Sequence, residues 1–237
     1  MKKIEFFSSI EGVAGAFPIR PAQEVIPKWV YAAKTDYMKS DKKDIHIYKC
    51  PGIFDMFTTG YIISNWIDVE IKTNEIGFNV TIPDPTLQDL LGKDIIQSQV
   101  HDGLAKHIPK KPWSVKSILK LNTPWHVITP KNVKLLILPL PYPDTFEFES
   151  AIGVLDPSIS TEINIQGYWN LQNQSHTIKA GTPLAQIIPM TEQQLELVVR
   201  DKNKHDELWL QKRKYLTYFS FIFNRLKTKE AYNGHFA

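Results

Sequence analysis

The sequence predicts a mainly β protein of the α+β class, and three observations carry that reading. From residue 113 onward short apolar runs follow one another with turn residues between them, the spacing of a compact sandwich or barrel. "IGFNVTIP" alternates strictly, with Ile76, Phe78, Val80 and Ile82 on one face and Gly77, Asn79 and Thr81 on the other, as a half-buried strand does. After Arg200 the apolar period changes to that of a helix, with Leu208, Lys212, Tyr215, Leu216, Phe219, Ile222, Phe223 and Leu226 along one face.

Taken in order, the elements begin with three proline-punctuated pieces, "FPIRPAQEVIPKWV", "KCPGIFDMFTTG" and "IPDPTLQDLLG". Proline opens a helical turn well because its missing N–H is not needed there, so short helices are expected over 27–38 and 51–59. Gly60 is suited to end the second in a left-handed conformation. "YIISNWIDVEIKT" then places Ile63, Ile67, Val69 and Ile71 on one side of a strand, which pairs as a hairpin through "TNE" with the strand at 76–82. Residues 84–112 are polar and irregular, a long ordered connection or lid with a helical turn near 86–91. The strands expected after that are "SVKSILKL", "WHVIT", "NVKLLILPLP", "TFEFESAIGVLD", "TEINIQGYW", "HTIK", "LAQIIPM" and "QLELVVR". A terminal helix of about five turns closes the chain. The organisation is therefore a body at 113–200, an N-terminal α/β extension at 1–112 packed on it, and a C-terminal amphipathic helix and tail at 201–237.

Composition narrows function by exclusion. At 237 residues and 43% hydrophobic content the chain can bury a core without disulfides or metals. Twenty-eight Lys and Arg against 25 Asp and Glu leave +3, and a pI near 8.7 is too mild to imply nucleic-acid binding unless the charge is clustered. It clusters only at the C-terminal end, where Lys202, Lys204, Lys212, Arg213, Lys214, Arg225, Lys227 and Lys229 surround Trp209, Tyr215, Phe219 and Phe223. Basic residues interleaved with aromatics can hold nucleic acid, but the helical spacing puts the aromatics on a packing face and the lysines in water. A partner subunit suits that helix better. One cysteine, Cys50, excludes an intramolecular disulfide framework and Cys-rich zinc sites and fits a reducing cytosol. No stretch reaches membrane-spanning length, and Glu5 interrupts the apolar run of "MKKIEFFSSIEGVAGAF", making it a poor signal peptide.

Two segments carry the candidate site. In "AIGVLDPSISTEINIQGYW" Asp156 follows an apolar strand; in "HTIKAGTPLAQIIPM" Gln186 lies inside a buried one, with Ala185 and Ile187 facing one way and Leu184, Gln186 and Ile188 the other. A buried amide left unpaired costs about 1–3 kcal/mol, so Gln186 needs backbone, water or ligand partners. Pinning two strands together is the plainer reading, because buried polar groups usually find protein partners.

The pair resembles motifs three and four of the trimeric dUTPase and dCTP deaminase superfamily, a "G-V-I-D" turn and then "K-x-G-x-x-I-A-Q-L-I". The matching residues are Gly153, Val154, Leu155 and Asp156, then Lys179, Gly181, Leu184, Ala185, Gln186, Ile187 and Ile188. About fifty residues are covered well, a short match that needs structural context, and "TPWHVITPKNVKLLILP" extends it loosely toward the N-terminus. The resemblance implies a dUTPase-like β-clip core, a trimer with sites between subunits, Asp156 positioning or activating a water, and Gln186 lining the phosphate region. Trp125 and Trp169, near these motifs, become candidates for stacking a base or sugar, although tryptophans among strands are more often core anchors.

The departures are specific. Where the superfamily places a Ser- and Arg-containing phosphate motif after the "LLILP" strand, this chain has "LPYPDTF". The sugar-stacking tyrosine is missing from "DPSIST", and no "R-G-x-x-G-F-G" arm follows. Phosphoryl chemistry depends on cations around the transferring group, so a pocket without the reaction is expected. The layout "IPKW", "KCPGIFDMFTTGYIISNWIDVEI", "NTPWHVITP", "GVLDPS" and "AGTPLAQIIPM" resembles a family of uncharacterised proteins encoded by tailed bacteriophages and some bacteria. That implies an origin and not an activity. The function expected from both resemblances and their departures is a phage-encoded, non-catalytic accessory protein of the host cytoplasm that binds a nucleotide or other small anionic ligand, with a virion structural or assembly role and a divergent nucleotide hydrolase or deaminase as alternatives.

The remaining candidates are weaker. Cys50 at a helix start is a candidate nucleophile, but a lone cysteine reads as core filling. His101 and His107, with Asp102 beside the first, are six residues apart and fall on different helical faces, unlike a zinc pair. No metal and no cofactor are expected.

Overall fold

The computed structural model describes residues 1–41, 46–74, 77–87, 96–99 and 107–219. Three β-sheets share one hydrophobic cluster, to which the short helix at 13–16 adds Val13. The protein is mainly β, of the α+β class.

The largest sheet is built on β7 (Ile118–Ile128). Its order is β14 (Leu195–Asp201), β1 (Lys2–Ser8), β7, β11 (Glu162–Trp169) and β9 (Phe148–Ser150), with β6 (Ile96–Gln99) also paired to β7. One edge of β7 is divided, β6 taking Ile118–Leu121 and β1 taking Trp125–Ile128. Sequence reasoning expects two strands here, broken at "TP"; the structure has one. A bulge makes this possible: the register on β11 shifts between Glu162 and Asn164, and the Thr123 hydroxyl donates to the Ile163 carbonyl at 2.6 Å in place of the N–H that Pro124 lacks. On the other edge the Pro124 carbonyl accepts from the Ser9 amide at 2.8 Å. β6 falls within the connection expected to be irregular; most of the helical turn expected near 86–91 lies outside the described residues.

β1 and β14 run parallel, Lys2 opposite Leu195 through Ser8 opposite Asp201. The pairing sets Glu5 beside Arg200, whose Nε donates to the Glu5 carboxylate at 2.6 Å. Arg200 also reaches the fully buried Asp206 through Nη1 at 2.5 Å, and its guanidinium stacks on Phe7. Asp206 lies in the first turn of α4 (Lys204–Phe219). Its carboxylate accepts from the Asn203 amide at 2.7 Å while the Asn203 side chain accepts from the Asp206 amide at 3.0 Å, a reciprocal cap that satisfies two orphan donors. Along α4 Trp209 is buried, whereas Leu208, expected on the packing stripe, is exposed; the rest of that stripe lies outside the residues whose side chains are described.

The second sheet runs β10 (Gly153–Leu155), β8 (Leu135–Leu138), β13 (Pro183–Pro189), β3 (Tyr61–Ser64) and β2 (Arg20–Pro21); the third runs β12 (Ser175–Ile178), β4 (Val69–Thr73) and β5 (Phe78–Thr81). The hairpin of β4 and β5 forms as expected, its turn held by Gly77 N to Asn74 Oδ1 at 2.7 Å. The strand expected over 61–73 is instead two strands in different sheets, broken at Asn65. That buried side chain donates to the carbonyls of Ile67 and Ile178, its amide to Thr182 O, and its carbonyl accepts from Gly181 N. An asparagine that satisfies the backbone on both sides of a corner allows the chain to change sheet inside the core. "TFEFESAIGVLD" is divided in the same way, β9 in the first sheet and β10 in the second.

Helices α2 (Lys28–Lys39) and α3 (Pro51–Thr58) lie where the prolines place them, after α1 (Val13–Ala16). Gly60 has φ +75°, and a Cβ there would sit 2.3 Å from the Ile187 carbonyl oxygen. The position demands glycine twice, for its dihedral and for the closeness of β13. Cys50, expected in the core, is exposed at the N-cap of α3, because Pro51 opens the helix at the surface.

Candidate functional site

β13 follows the Gly181–Pro183 turn that opens it. Gly181 takes φ +84°, Asp68 accepts from Lys179 Nζ at 2.7 Å and from the Ala180 amide at 2.8 Å, and those bonds, Lys179 first, hold its carboxyl below the usual range. Three residues past Pro183 the strand carries Gln186, fully buried between Ile62 of β3 and Leu138 of β8.

The Gln186 amide nitrogen donates to the carbonyls of Met56 at 2.7 Å and Thr59 at 2.6 Å. These belong to the C-terminal turn of α3, where carbonyls lack partners within the helix. Gln186 therefore pins a helix end to a strand, where sequence reasoning expects a strand–strand clasp. Its carboxamide oxygen is buried with no hydrogen-bond partner among the described residues.

Gln186 lies at the edge of a cavity of about 310 Å³. Val25, Ile26, Met56, Phe57, Ile62 and Leu140 make its walls apolar, with Lys28, Asp144, Thr145 and Thr182 as polar members. One side is a proline-rich strap at 139–145, strapped down by α2: the Asp144 carboxylate accepts from the Lys28 amide at 2.9 Å, and the Trp29 indole donates to the Tyr142 carbonyl at 2.9 Å. Pro27, at the N-cap of α2, has no side chain to cap the helix, so Asp144 supplies the acceptor from a distant loop. Sequence reasoning treats "LPYPDTF" only as a missing phosphate motif; its prolines beside an aspartate were the one signal of a rigid cavity wall.

Asp156 is elsewhere. Its carboxylate accepts from the Ser158 amide at 3.0 Å and the Ser158 hydroxyl at 2.5 Å, and Lys134 Nζ stands 3.5 Å away. Burial pushes its carboxyl up, but the two Ser158 hydrogen bonds and the Lys134 charge outweigh it and hold the group below the ordinary range. In the ladders Leu155 is level with Leu135 and Pro189, while Gln186 is level with Leu138. Asp156 is thus roughly 13 Å along the strands and about 10 Å across them from Gln186. It does not line the Gln186 cavity, and the shared cleft expected of this pair is not formed.

Trp125 and Trp169 are both fully buried in the same core cluster, each with an indole N–H that has no partner among the described residues. Neither presents a ring face to a ligand. Asp156 and Gln186 lie apart, and of the four expected residues Gln186 lines the cavity with the polar rim.

His107 is exposed, and His101 and Asp102 lie outside the described residues. Among the described residues no group of three or more His, Cys, Asp or Glu could hold a metal ion, and no helix is long and apolar enough to cross a membrane. No protein-family model matches this chain, and no curated protein matches it.

Proposed function

We propose that this chain is a phage-encoded, non-catalytic binding or accessory protein of the host cytoplasm, with a dUTPase-like β-clip core, and that a nucleotide-like or other small anionic ligand occupies the cavity beside Gln186. The observation that carries the reading is the cavity itself: preformed, walled by apolar side chains that suit a planar ring, and bounded by a few polar groups. An anion there would rely on Lys28, the one cationic residue lining the cavity, because the Asp144 carboxylate already occupies the first amide of α2.

The non-catalytic part rests on Asp156. A carboxylate that accepts two bonds from Ser158 and faces Lys134 is a weak base, because its charged form is already stabilised. It is a turn residue. A nucleotide hydrolase or deaminase would need another base.

The test is a thermal-shift panel of nucleotides with and without magnesium, paired with assays for pyrophosphate and ammonia release. A binder raises its unfolding temperature, by about 2.7 kcal/mol of stability at a hundredfold excess over Kd, without turnover. Filling the cavity by Ile62→Trp is expected to abolish the shift, whereas Asp156→Ala keeps it. Turnover lost in Asp156→Ala would instead restore the enzyme reading.

A second reading has its own observation. Ile152 and Val154 are 70% and 59% exposed at the outer edge strand of the second sheet, and an open edge with apolar side chains invites pairing with another chain. A homo-oligomer, a trimer in particular, or a virion assembly contact would cover it. Native mass measurement and analysis of purified virions distinguish these.

A further inference from the structure

We propose that the strap at 139–145 serves a second site, a cleft that takes a neutral saccharide. This cleft, about 560 Å³, shares Leu140, Pro143 and Thr145 with the Gln186 cavity and is otherwise lined by different residues. Three large aromatic residues are exposed around it, Trp113 at 36%, Tyr142 at 58% and Phe146 at 73%. Exposed apolar rings scattered singly need no explanation, but three around one depression mark a surface meant to be covered.

The rings are held in place. Tyr142 adopts φ +46°, and its carbonyl is fixed by the Trp29 indole. Trp113 packs edge-on against Tyr168 at 6.3 Å. The Asn170 amide nitrogen donates to the Phe146 carbonyl at 3.2 Å, and its backbone N–H donates to Glu147 O, so the wall that carries Phe146 is tied to the end of β11.

Charge selects the ligand. The one ionised group lining the cleft, Glu149, is already paired with Lys111 at 2.9 Å. An anion would meet a carboxylate there, and a cation would have to displace Lys111. A wholly apolar ligand would leave the Asn170 carboxamide oxygen and the Thr145 hydroxyl, neither of which has a partner among the described residues, cut off from water. A neutral ring with a C–H face and a hydroxyl-bearing edge satisfies both halves of the lining. That is the chemistry of a sugar.

The full chain is titrated with glucose, galactose, N-acetylglucosamine and their neutral oligomers, followed by tryptophan fluorescence and saturation-transfer NMR. At least one neutral sugar is expected to bind, and Phe146→Ala and Trp113→Ala each weaken it about tenfold or more. Both side chains are partly or largely exposed, so the unfolding temperature is expected to hold. Failure of every sugar in the set overturns the proposal, as does binding that survives both substitutions. Binding lost on Ile62→Trp but kept in Phe146→Ala would place the sugar in the Gln186 cavity and overturn it equally. The inference does not depend on the nucleotide reading, which stands or falls on the Gln186 cavity.

Discussion

Asp156 and Gln186 sit at opposite ends of the same β8 and β13 ladders and meet the demand for hydrogen bonds in different ways. Asp156 is satisfied within its own turn: every contact it makes except Lys134 comes from residues 158–160. Gln186 satisfies others, spanning about 130 residues of chain to hold two carbonyls at the end of α3, and its own buried oxygen has no partner among the described residues. A carboxylate at a surface turn can be lost cheaply because water replaces its partners. A buried carboxamide costs more, since it holds two part-buried bonds from inside the core. The contrast teaches that chemical type alone does not mark a site; the surroundings decide whether a polar group closes on itself or holds a cavity open.

The largest effect that bears on this contrast is at the Gln186 end. Gly60→Ala should destabilise the protein by about 3 kcal/mol or more, since it forces a left-handed residue with a side chain against the Ile187 carbonyl. Chemical denaturation measures it, and a change under about 1 kcal/mol would mean that α3 and β13 are not held as tightly as described. Gln186→Leu is next, at about 1–3 kcal/mol by the same measurement, because the Met56 and Thr59 carbonyls lose their part-buried donor. Protease sensitivity within 50–60 is expected to rise with it.

At the other end Asp156→Ala should cost only about 1 kcal/mol. Were it to cost more than Gln186→Leu, the contrast would be reversed. The smallest effect is in pH. The Asp156 carboxyl is held below its ordinary value, so its contribution is present above the unfolded-state carboxylate pKa and disappears as pH falls through the lower folded value. The stability difference between the wild type and Asp156→Asn is therefore expected to be constant near neutrality and to shrink toward zero in acid. A difference that grows as pH falls would show that Lys134 and Ser158 do not stabilise the charged form.

Local chemistry made much of this fold legible. Prolines at 27 and 51 placed α2 and α3, Gly60 announced its own left-handed turn, and alternation gave the β4–β5 hairpin. What escaped depended on partners distant in sequence. Pro124 reads as a strand end unless Thr123 and the bulge on β11 are known, and Asn65 reads as a polar interruption unless Ile178 and Thr182 are beside it. At the site, the need of Gln186 for partners was legible and their identity was not. Asp156 was a candidate through a resemblance to a superfamily motif, and sequence does not show the register that carries it away from Gln186.

The parallel pairing of Lys2–Ser8 with Leu195–Asp201 has a kinetic consequence. Joining segments so distant carries a loop-closure cost that grows only slowly with length, yet contacts of such long range delay folding. During synthesis the Ile4, Phe6 and Phe7 side chains emerge long before β14 exists to flank them, and must wait against β7 or a chaperone. A circular permutant that joins these two strands through a short crossover, opened at an exposed loop, should fold faster while keeping the same native core.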